Sequence, residues 1–243
     1  MMLKMVLAGT MGMAVAGIAG PAMAAPATVT VTGTVLSGFD AVGTFGTAGA
    51  SLAGLPFSAI FTVDPSRGDT RVQTGTLNYL FGRGAASPVS AALTIGSGTY
   101  NFAGSYSGTA RATNGAGKGG TDSLMYMVED TNFALSPPDN TLFYVSFDTL
   151  RDLLGSADFT NASVVNLTTA DNAKGDVRIT NRNAATGTYG PTTFADLSVT
   201  SIRAQAMSAV PEPATWAMMV AGFAVAGVAL RRGRRVQARV RFA

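Results

Sequence analysis

The sequence contains no cysteine and no histidine, and these two absences exclude several classes of chemistry. Without cysteine the chain has no disulfide and no thiol nucleophile, and without histidine it has no Ser-His-Asp triad and no histidine zinc site. Hydrophobic residues make up 47% of the 243 residues, which excludes a wholly disordered chain and suits one domain plus processing segments. We therefore predict a domain that folds through its core alone, without a metal or a cofactor.

Basic charge is scarce in the middle of the chain, although the formal net charge is +3. Residues 25–206 contain 10 Lys and Arg against 13 Asp and Glu, a balance of −3. A nucleic-acid-binding domain needs a basic surface that neutralises phosphates, and the central region lacks one. We therefore predict no nucleic-acid partner. Six arginines are concentrated near the C-terminus: Arg231, Arg232, Arg234, Arg235, Arg239 and Arg241.

The N-terminus has the pattern of a secretory signal peptide. Lys4 supplies a short positively charged region, and an apolar run follows over residues 5–20. Ala22 and Ala24 then form the small-x-small pattern that signal peptidase accepts. The run is shorter than the ~20 residues that a membrane-spanning helix usually needs. We predict export by the general secretion machinery and removal of residues 1–24 by signal peptidase.

A second hydrophobic segment lies near the C-terminus. Residues 214–230 form a run of 17 residues without a charge. As a helix this run would span ~25 Å, slightly less than a hydrocarbon core of ~30 Å. Trp216 lies in its first turn, at the interface depth that indole rings favour. Four arginines close the far end, and the positive-inside rule keeps such a stop-transfer cluster in the cytoplasm: Arg231, Arg232, Arg234 and Arg235. We therefore predict a transmembrane helix about 214–230, with a buried core helix as the alternative.

The residues around this run carry a motif. Pro211, Glu212 and Pro213 stand before Trp216, and the apolar run and the arginine cluster follow. This combination over residues 209–235 resembles the PEP-CTERM sorting signal, in the form with Trp-Ala after two variable residues. The resemblance implies recognition by an exosortase and export across the inner membrane of a Gram-negative bacterium. It further implies transient membrane anchoring before release to the cell surface or the extracellular space, and an association with exopolysaccharide and biofilm formation.

The predicted organisation therefore has four parts. These are a signal peptide at 1–24, an exported domain at 25–208, the sorting signal at 209–235 and a basic cytoplasmic tail at 236–243. Because proline cannot continue a helix and restricts the residue before it, the motif should be extended and exposed just outside the membrane. That conformation is the one a protease-like enzyme requires.

The central region has the alternating pattern of β-strands throughout residues 26–206. About nine or ten short runs are enriched in Thr, Val and aromatic residues, with Gly, Asn, Asp and Pro clusters between them. The clearest sets that should share one face are Val29, Val31 and Val35; Phe57, Ala59, Phe61 and Val63; Leu77, Tyr79 and Phe81; Val89, Ala91, Leu93 and Ile95; Leu124, Tyr126 and Val128; and Phe143, Val145 and Phe147. One short helical turn is expected around Thr149 to Leu154. We predict an all-β fold, an antiparallel β-sandwich or jelly roll, flanked by the signal-peptide helix and the transmembrane helix.

Two glycine-rich segments interrupt the alternation. Residues 43–54 form a long connection whose glycines suit turns with positive φ. Residues 114–122 resemble a glycine-rich calcium turn, but they lack the repeated Asp positions, and Lys118 is not followed by the Ser or Thr of a phosphate loop. We interpret both segments as structural turns, with calcium binding at the second as the alternative.

Three functions suit an exported β domain of this composition. We favour a non-enzymatic surface or extracellular-matrix protein, because no catalytic constellation is evident and none is predicted. A carbohydrate-binding module is the first alternative, with extracellular polysaccharide as a further partner; it would need exposed rings, for which the central region offers Tyr79, Tyr100, Tyr106, Tyr126, Tyr144 and Tyr189. A secreted glycoside hydrolase is the second alternative and needs two facing carboxylates. The adjacent Glu129 and Asp130 would point to opposite faces of a strand, which leaves Asp148, Asp152 and Asp158 as candidates.

Overall fold

A computed structural model describes residues 26–102, 106–115, 120–132, 139–182, 185–207, 219–224, 226–227 and 230–231. The domain consists of strands, in the order β1 Ala27–Asp40, β2 Ala50–Ser51, β3 Pro56–Val63, β4 Thr70–Gln73, β5 Leu77–Gly82, β6 Val89–Ile95, β7 Gly98–Phe102, β8 Ser107–Thr113, β9 Asp122–Asn132, β10 Asp139–Thr149, β11 Ser163–Val165, β12 Lys174–Arg182 and β13 Tyr189–Ala206. Two short 3-10 helices, Gly84–Ala86 and Thr169–Asp171, lie between strands of this domain. The prediction of an all-β domain is confirmed.

The strands form one continuous sheet in which every described pairing is antiparallel. Its order is β4-β5-β8-β9-β10-β12-β13-β1-β3-β6-β7, with β11 paired to β13 and β2 paired to β1. The sheet curls so that strands far apart in this order face each other. Phe61 of β3 contacts Tyr126 of β9 and Phe143 of β10, with ring centroids 5.7 and 4.9 Å apart. Phe102 of β7 lies 5.3 Å from Phe143 in the same way. A single curled sheet thus supplies both layers of the core, where a sandwich would use two.

The register between β1 and β13 shifts twice: between Thr32 and Gly33, where Thr200 of β13 is the extra residue, and between Val35 and Ser37, where Leu36 of β1 is the extra residue. Such bulges bend a strand and increase its twist. Gly33 is required at the first bulge because an added Cβ would overlap the carbonyl oxygen of Ser198 and lie 2.6 Å from the ring of Phe57. The bend therefore depends on a close approach of two backbones that only glycine permits.

The core follows the predicted alternation in most strands. The residues predicted to share a face are buried in β1, β3, β6, β9 and β10. Strand β5 is the exception, since Leu80 is fully buried whereas Leu77, Tyr79 and Phe81 are only partly covered. Hydrophobic residues occupy both phases of this strand, so period two alone does not identify the inner face. Its register against β8, with Leu80 opposite Ala110, shows which face is buried.

The helical turn expected around Thr149 to Leu154 is not formed. The backbone N–H groups of Leu153 and Leu154 donate to Asp122 Oδ2 at 2.6 and 2.7 Å, and the carbonyl of Leu154 accepts from Asn114 Nδ2 at 2.8 Å. These backbone groups are therefore bound by side chains from a distant turn and do not take part in a local helical turn.

Replacement of Gly33 by Ala should lower the free energy of unfolding by about 2–3 kcal/mol, because the new methyl group is forced against the Ser198 carbonyl. Gly155→Ala is the matched control, since a Cβ added there would meet no atom within 4 Å and its change should stay within about 0.5 kcal/mol. Urea unfolding followed by far-UV circular dichroism measures both. Equal stabilities for the two variants would contradict the role assigned to the bulge.

Candidate functional site

Most of the residues predicted to direct sorting lie outside the described residues. These are the signal peptidase positions Ala22 and Ala24, the motif residues Pro211, Glu212, Pro213 and Trp216, and the arginines Arg232, Arg234 and Arg235. Residues 219–224, 226–227 and 230–231 are helical, and Arg231 is exposed at the end of this group. Among the described residues, no helix has the length and apolar character needed to cross a membrane. The four-part organisation of the chain stays a prediction.

The structure does show where the sorting segment leaves the domain. The backbone N–H of Met207 donates to the carbonyl of Pro26 at 2.7 Å, and Ala206 lies opposite Ala27 in the β1–β13 register. On the other side of β1, Ala27 lies opposite Val63, the last residue of β3. Both ends of the β domain therefore meet at one end of the sheet, which we call the terminal end. No residue pattern in the sequence indicates this pairing, because it joins positions about 180 residues apart.

A cleft of ≈ 360 Å³ opens at the terminal end. Both Pro26 and Met207 line it, and a charged pair lies beside them, with Arg67 Nε 3.2 Å from Asp64 Oδ2. The remaining wall is mixed in character and includes Thr62, Ser87, Pro88, Ser90, Phe102 and Tyr106. The sorting segment, which starts at residue 209, thus begins two residues after Met207, which lines a cleft of mixed character that contains one acidic and one basic side chain.

The glycine-rich connection at 43–54 is a structural turn held by a buried carboxylate. Asp40 accepts hydrogen bonds from the backbone N–H groups of Thr44 and Phe45 at 2.8 and 2.7 Å and from the hydroxyl of Thr193 at 3.1 Å. Phe45 and Leu52 are buried beneath the connection. The carboxylate therefore binds the loop to the sheet, and its hydrogen-bonding capacity is used by the protein itself.

The second glycine-rich segment is arranged in the same way. Asp122 accepts from the backbone N–H of Gly115 at 3.0 Å in addition to Leu153 and Leu154. Gly115 and Gly120 approach so closely that a Cβ on either would overlap the other's backbone. Within the described ranges no group of three or more carboxylates is placed to hold a metal ion, and the calcium alternative gains no support from the residues that are described.

The carboxylates considered for a hydrolase lie in separate places. Asp148 lines a cleft with Arg151 and Asp171, whereas Asp158 lines a different cleft between the β4–β5 hairpin and residues 156–160. Asp158 accepts from the backbone N–H and the hydroxyl of Thr160 at 2.9 and 2.6 Å. Asp152 is exposed, and Glu129 lies on β9 near the hydroxyl of Ser107. The described structure therefore does not bring these candidates together as a facing pair.

Asp171 forms the shortest ion pair among the described residues, with Arg151. Arg151 donates to its two oxygens from Nε and a terminal nitrogen, each at 2.6 Å, and Thr149 and Thr168 donate from their hydroxyls at 3.0 and 2.9 Å. These bonds, with Arg151 first among them, hold the pKa of the Asp171 carboxyl far below its usual range. The carboxylate side chain is buried while the guanidinium is half exposed. The pair therefore fixes the 3-10 helix Thr169–Asp171 against the end of β10.

A different group of side chains meets on the outer face of the sheet. The β12–β13 register places Asp176 opposite Asp196, and β13 places Phe194 opposite Phe39 of β1. Asp196 Oδ2 accepts from the hydroxyl of Ser37 at 2.5 Å, and Asp176 Oδ1 accepts from Arg178 Nε at 3.1 Å. We call this set, together with Tyr144 of β10, the outer-face cluster: Ser37, Phe39, Tyr144, Asp176, Arg178, Phe194 and Asp196.

The outer-face cluster places two carboxyl groups, those of Asp176 and Asp196, opposite each other. Partial burial, with Asp196 as a further cause, raises the pKa of the Asp176 carboxyl, and Arg178 opposes the increase. Partial burial and Asp176 likewise raise the pKa of the Tyr144 hydroxyl. Like charges directly opposite each other normally destabilise a sheet. Phe39 and Phe194 are also exposed to 42% and 41%, so two rings and two carboxylates share one open surface.

Sequence reasoning missed the outer-face cluster because its members come from four strands. Asp176 and Asp196 are 20 positions apart, and only the strand register brings them together. Of the six tyrosines considered for sugar stacking, Tyr144 alone belongs to the cluster. Tyr126 is instead fully buried, and its hydroxyl donates to the carbonyl of Phe159 at 2.5 Å.

Residues 209–235 match the family model of the PEP-CTERM protein-sorting motif. No curated protein and no solved structure is significantly similar to the chain. The match confirms the resemblance noted in the sequence and spans the same residues. Such a motif marks exported proteins that are anchored transiently in a membrane and recognised by an exosortase. It covers the segment that begins two residues beyond Met207 and leaves the family of the β domain unassigned.

Replacement of Arg151 by Ala should lower the free energy of unfolding by about 1 kcal/mol at pH 7, because a buried carboxylate loses its charged partner but the guanidinium was half exposed. A carboxyl whose folded pKa is depressed contributes stability above its unfolded pKa of about 3.9 and loses that contribution as the pH falls. The difference in free energy of unfolding between wild type and variant should therefore be largest near neutral pH and should decrease below about pH 4. Urea unfolding at several pH values measures it.

Arg67→Ala is the control for this experiment, since it removes the exposed ion pair with Asp64 and should change stability by less than about 0.5 kcal/mol. A pH-independent loss in Arg151→Ala would contradict the electrostatic role of Asp171.

Proposed function

We propose that the protein is a non-enzymatic surface or extracellular-matrix protein of a Gram-negative bacterium, sorted by an exosortase and associated with exopolysaccharide and biofilm. The observation that carries this proposal is the sorting-motif match at residues 209–235. The position of Met207 beside Pro26 supports it, because the motif then follows a completed domain and interrupts none of its described strands. In this function the β domain is the exported part of the protein, and the C-terminal segment is the signal that directs its sorting.

The proposed topology uses two membrane signals of the same orientation. Signal peptidase removes residues 1–24, and residues 214–230 hold the exported domain in the membrane until the exosortase acts. Each arginine of the cluster that follows would cost about 2.5–3.5 kcal/mol at the centre of a helix, so the cluster stays in the cytoplasm. The apolar run is short and rich in Ala and Gly, which suits a temporary anchor.

The triple variant Pro211→Ala, Glu212→Ala, Pro213→Ala should stay membrane-anchored and unprocessed in cells that contain the matching exosortase, because the recognition segment is lost and the anchor is kept. Neutral replacements of Arg231, Arg232, Arg234 and Arg235 should instead weaken membrane retention and orientation. Membrane fractionation and the gel mobility of the chain distinguish the two phenotypes. If the triple-alanine variant is cleaved at the wild-type rate, the segment is not a sorting signal and acts only as a C-terminal membrane anchor.

A carbohydrate-binding role is the second candidate, and the outer-face cluster favours it. Sugar rings stack their apolar faces on exposed aromatic side chains while their hydroxyls bond to charged and polar groups. Phe39 and Phe194 are neighbouring exposed rings, and Asp176, Asp196 and Arg178 lie next to them on the same face. This arrangement would let the exported domain bind a polysaccharide strand along the sheet.

The double variant Phe39→Ala, Phe194→Ala should weaken binding to the producing cell's own polysaccharide by about tenfold or more, a loss of about 1.4 kcal/mol or more. Val72→Ala is the matched control, because Val72 is a similarly exposed apolar residue on the distant edge strand β4. Affinity electrophoresis with the extracted polysaccharide gives the comparison. If the polysaccharide retards the double variant and Val72→Ala equally in the gel, the outer-face cluster is not the binding surface.

A further inference from the structure

We propose that the terminal end of the domain is the surface that faces the membrane and lies against the exosortase during sorting. The inference rests on the proposed function, because it requires an exosortase acting at the Pro-Glu-Pro motif. It adds the orientation of the β domain and the surface that the enzyme must accommodate.

Met207, the last described residue of the β domain, is fixed to the sheet. Strand β13 is paired through Ala206 with β1, and the carbonyl of Ala162, just before β11, accepts from the N–H of Ala204 at 2.7 Å. Met207 itself donates to Pro26. Strand β13 is thus held on both sides as far as Ala204, and from there to Met207 it is held by β1 and Pro26. Sheet pairing of this kind does not release a residue without breaking hydrogen bonds.

The chain that connects the β domain to the sorting motif is short. Only residues 208–210 separate Met207 from Pro211. A fully extended chain advances at most about 3.3–3.6 Å per residue, so Pro211 lies within ~14 Å of Met207 and Ala214 within ~25 Å. An enzyme that holds the motif in its active site is therefore in contact range of the terminal end.

The sheet is longer than this connecting chain. Strand β1 spans Ala27–Asp40, which at about 3.3 Å per residue is ~40 Å along a path that the bulges shorten. Ser51 of β2 pairs with Phe39 of β1 and therefore lies at the opposite end of β1. The connecting chain thus keeps the terminal end at the enzyme and leaves the opposite end beyond the reach of the motif.

The character of the terminal end suits this contact. The cleft beside the exit is lined by the Arg67–Asp64 pair, serine and threonine side chains, and Met207 itself. Such a mixed surface can lie against lipid headgroups or the water-exposed part of a membrane enzyme without burying an unpaired charge.

The absence of cysteine allows a direct test, because a single introduced cysteine is the only thiol in the chain. Ser90→Cys places it in the lining of the terminal cleft, and Ser51→Cys places it at the opposite end; both serines are exposed. Each full-length variant is coupled to a bulky maleimide–polyethylene glycol and reconstituted with the exosortase in proteoliposomes. The conjugate at position 90 should slow processing by about tenfold or more, whereas the conjugate at 51 should stay within about twofold of the unlabelled chain.

A longer connection should remove the block. Insertion of about ten Gly and Ser residues after Met207 adds a mean reach of about 5–6 Å times the square root of that number, or ~17 Å. The conjugate at position 90 should then be processed at nearly the unlabelled rate. Equal slowing by both conjugates, or no slowing by the conjugate at 90, would overturn the proposed orientation.

The two proposals fail in different ways. If the unlabelled cysteine variants are not processed at all, or the triple-alanine motif variant is processed equally well, the sorting function itself is refuted. If the unlabelled chains are processed and the conjugate at position 90 is processed at the same rate, the sorting function stands and the orientation is wrong.

Discussion

The pairing of β1 with β13 is the interaction on which the remaining architecture depends. These are the two longest strands, and their register extends from Ala27 opposite Ala206 to Phe39 opposite Phe194. Every other strand joins the sheet through one of them, since β12 and β11 pair with β13 while β3 and β2 pair with β1. Two bulges, one in each strand of this central pair, bend the pair and increase its twist, and the two wings of the sheet face each other. The aromatic contacts of Phe61 and Phe102 with Phe143 then close the core.

Buried carboxylates hold the loops of this domain in a chain that has no disulfides. Asp40, Asp122 and Asp171 are each almost completely buried, and each accepts hydrogen bonds from a loop or turn that the sheet alone would not restrain. A charge-assisted hydrogen bond to a buried carboxylate is worth more than a neutral one. The same property makes these positions sensitive, because loss of the donors would leave a charge buried without a partner. The loops and the core are therefore stabilised by different physical interactions.

Most strands and the sorting motif can be predicted from the sequence, because both leave a local signal in it. Alternation at Val29 and Val31 or at Phe143 and Val145 reports a local periodicity, and the motif at 209–235 is a contiguous pattern. The continuous sheet, the junction of Pro26 with Met207 and the meeting of Asp176 with Asp196 depend on long-range register, which single-chain periodicity does not contain. The conformation at Leu153 could not be predicted either, because a carboxylate from 31 positions earlier replaces its local hydrogen bonds.

The central place of β13 has a consequence for how such a domain matures during export. The last strand of the domain to emerge from a secretion channel occupies the middle of the sheet, between β12 and β1. A sheet built from contacts of such high sequence separation forms slowly, because the loop-closure entropy precedes the stabilising contacts. Without β13, the wing that ends in β12 and the wing that begins with β1 are not joined by any strand pairing in the described sheet. The pairing that joins the two wings is therefore completed only by the last strand of the domain, directly before the sorting segment at 209–235.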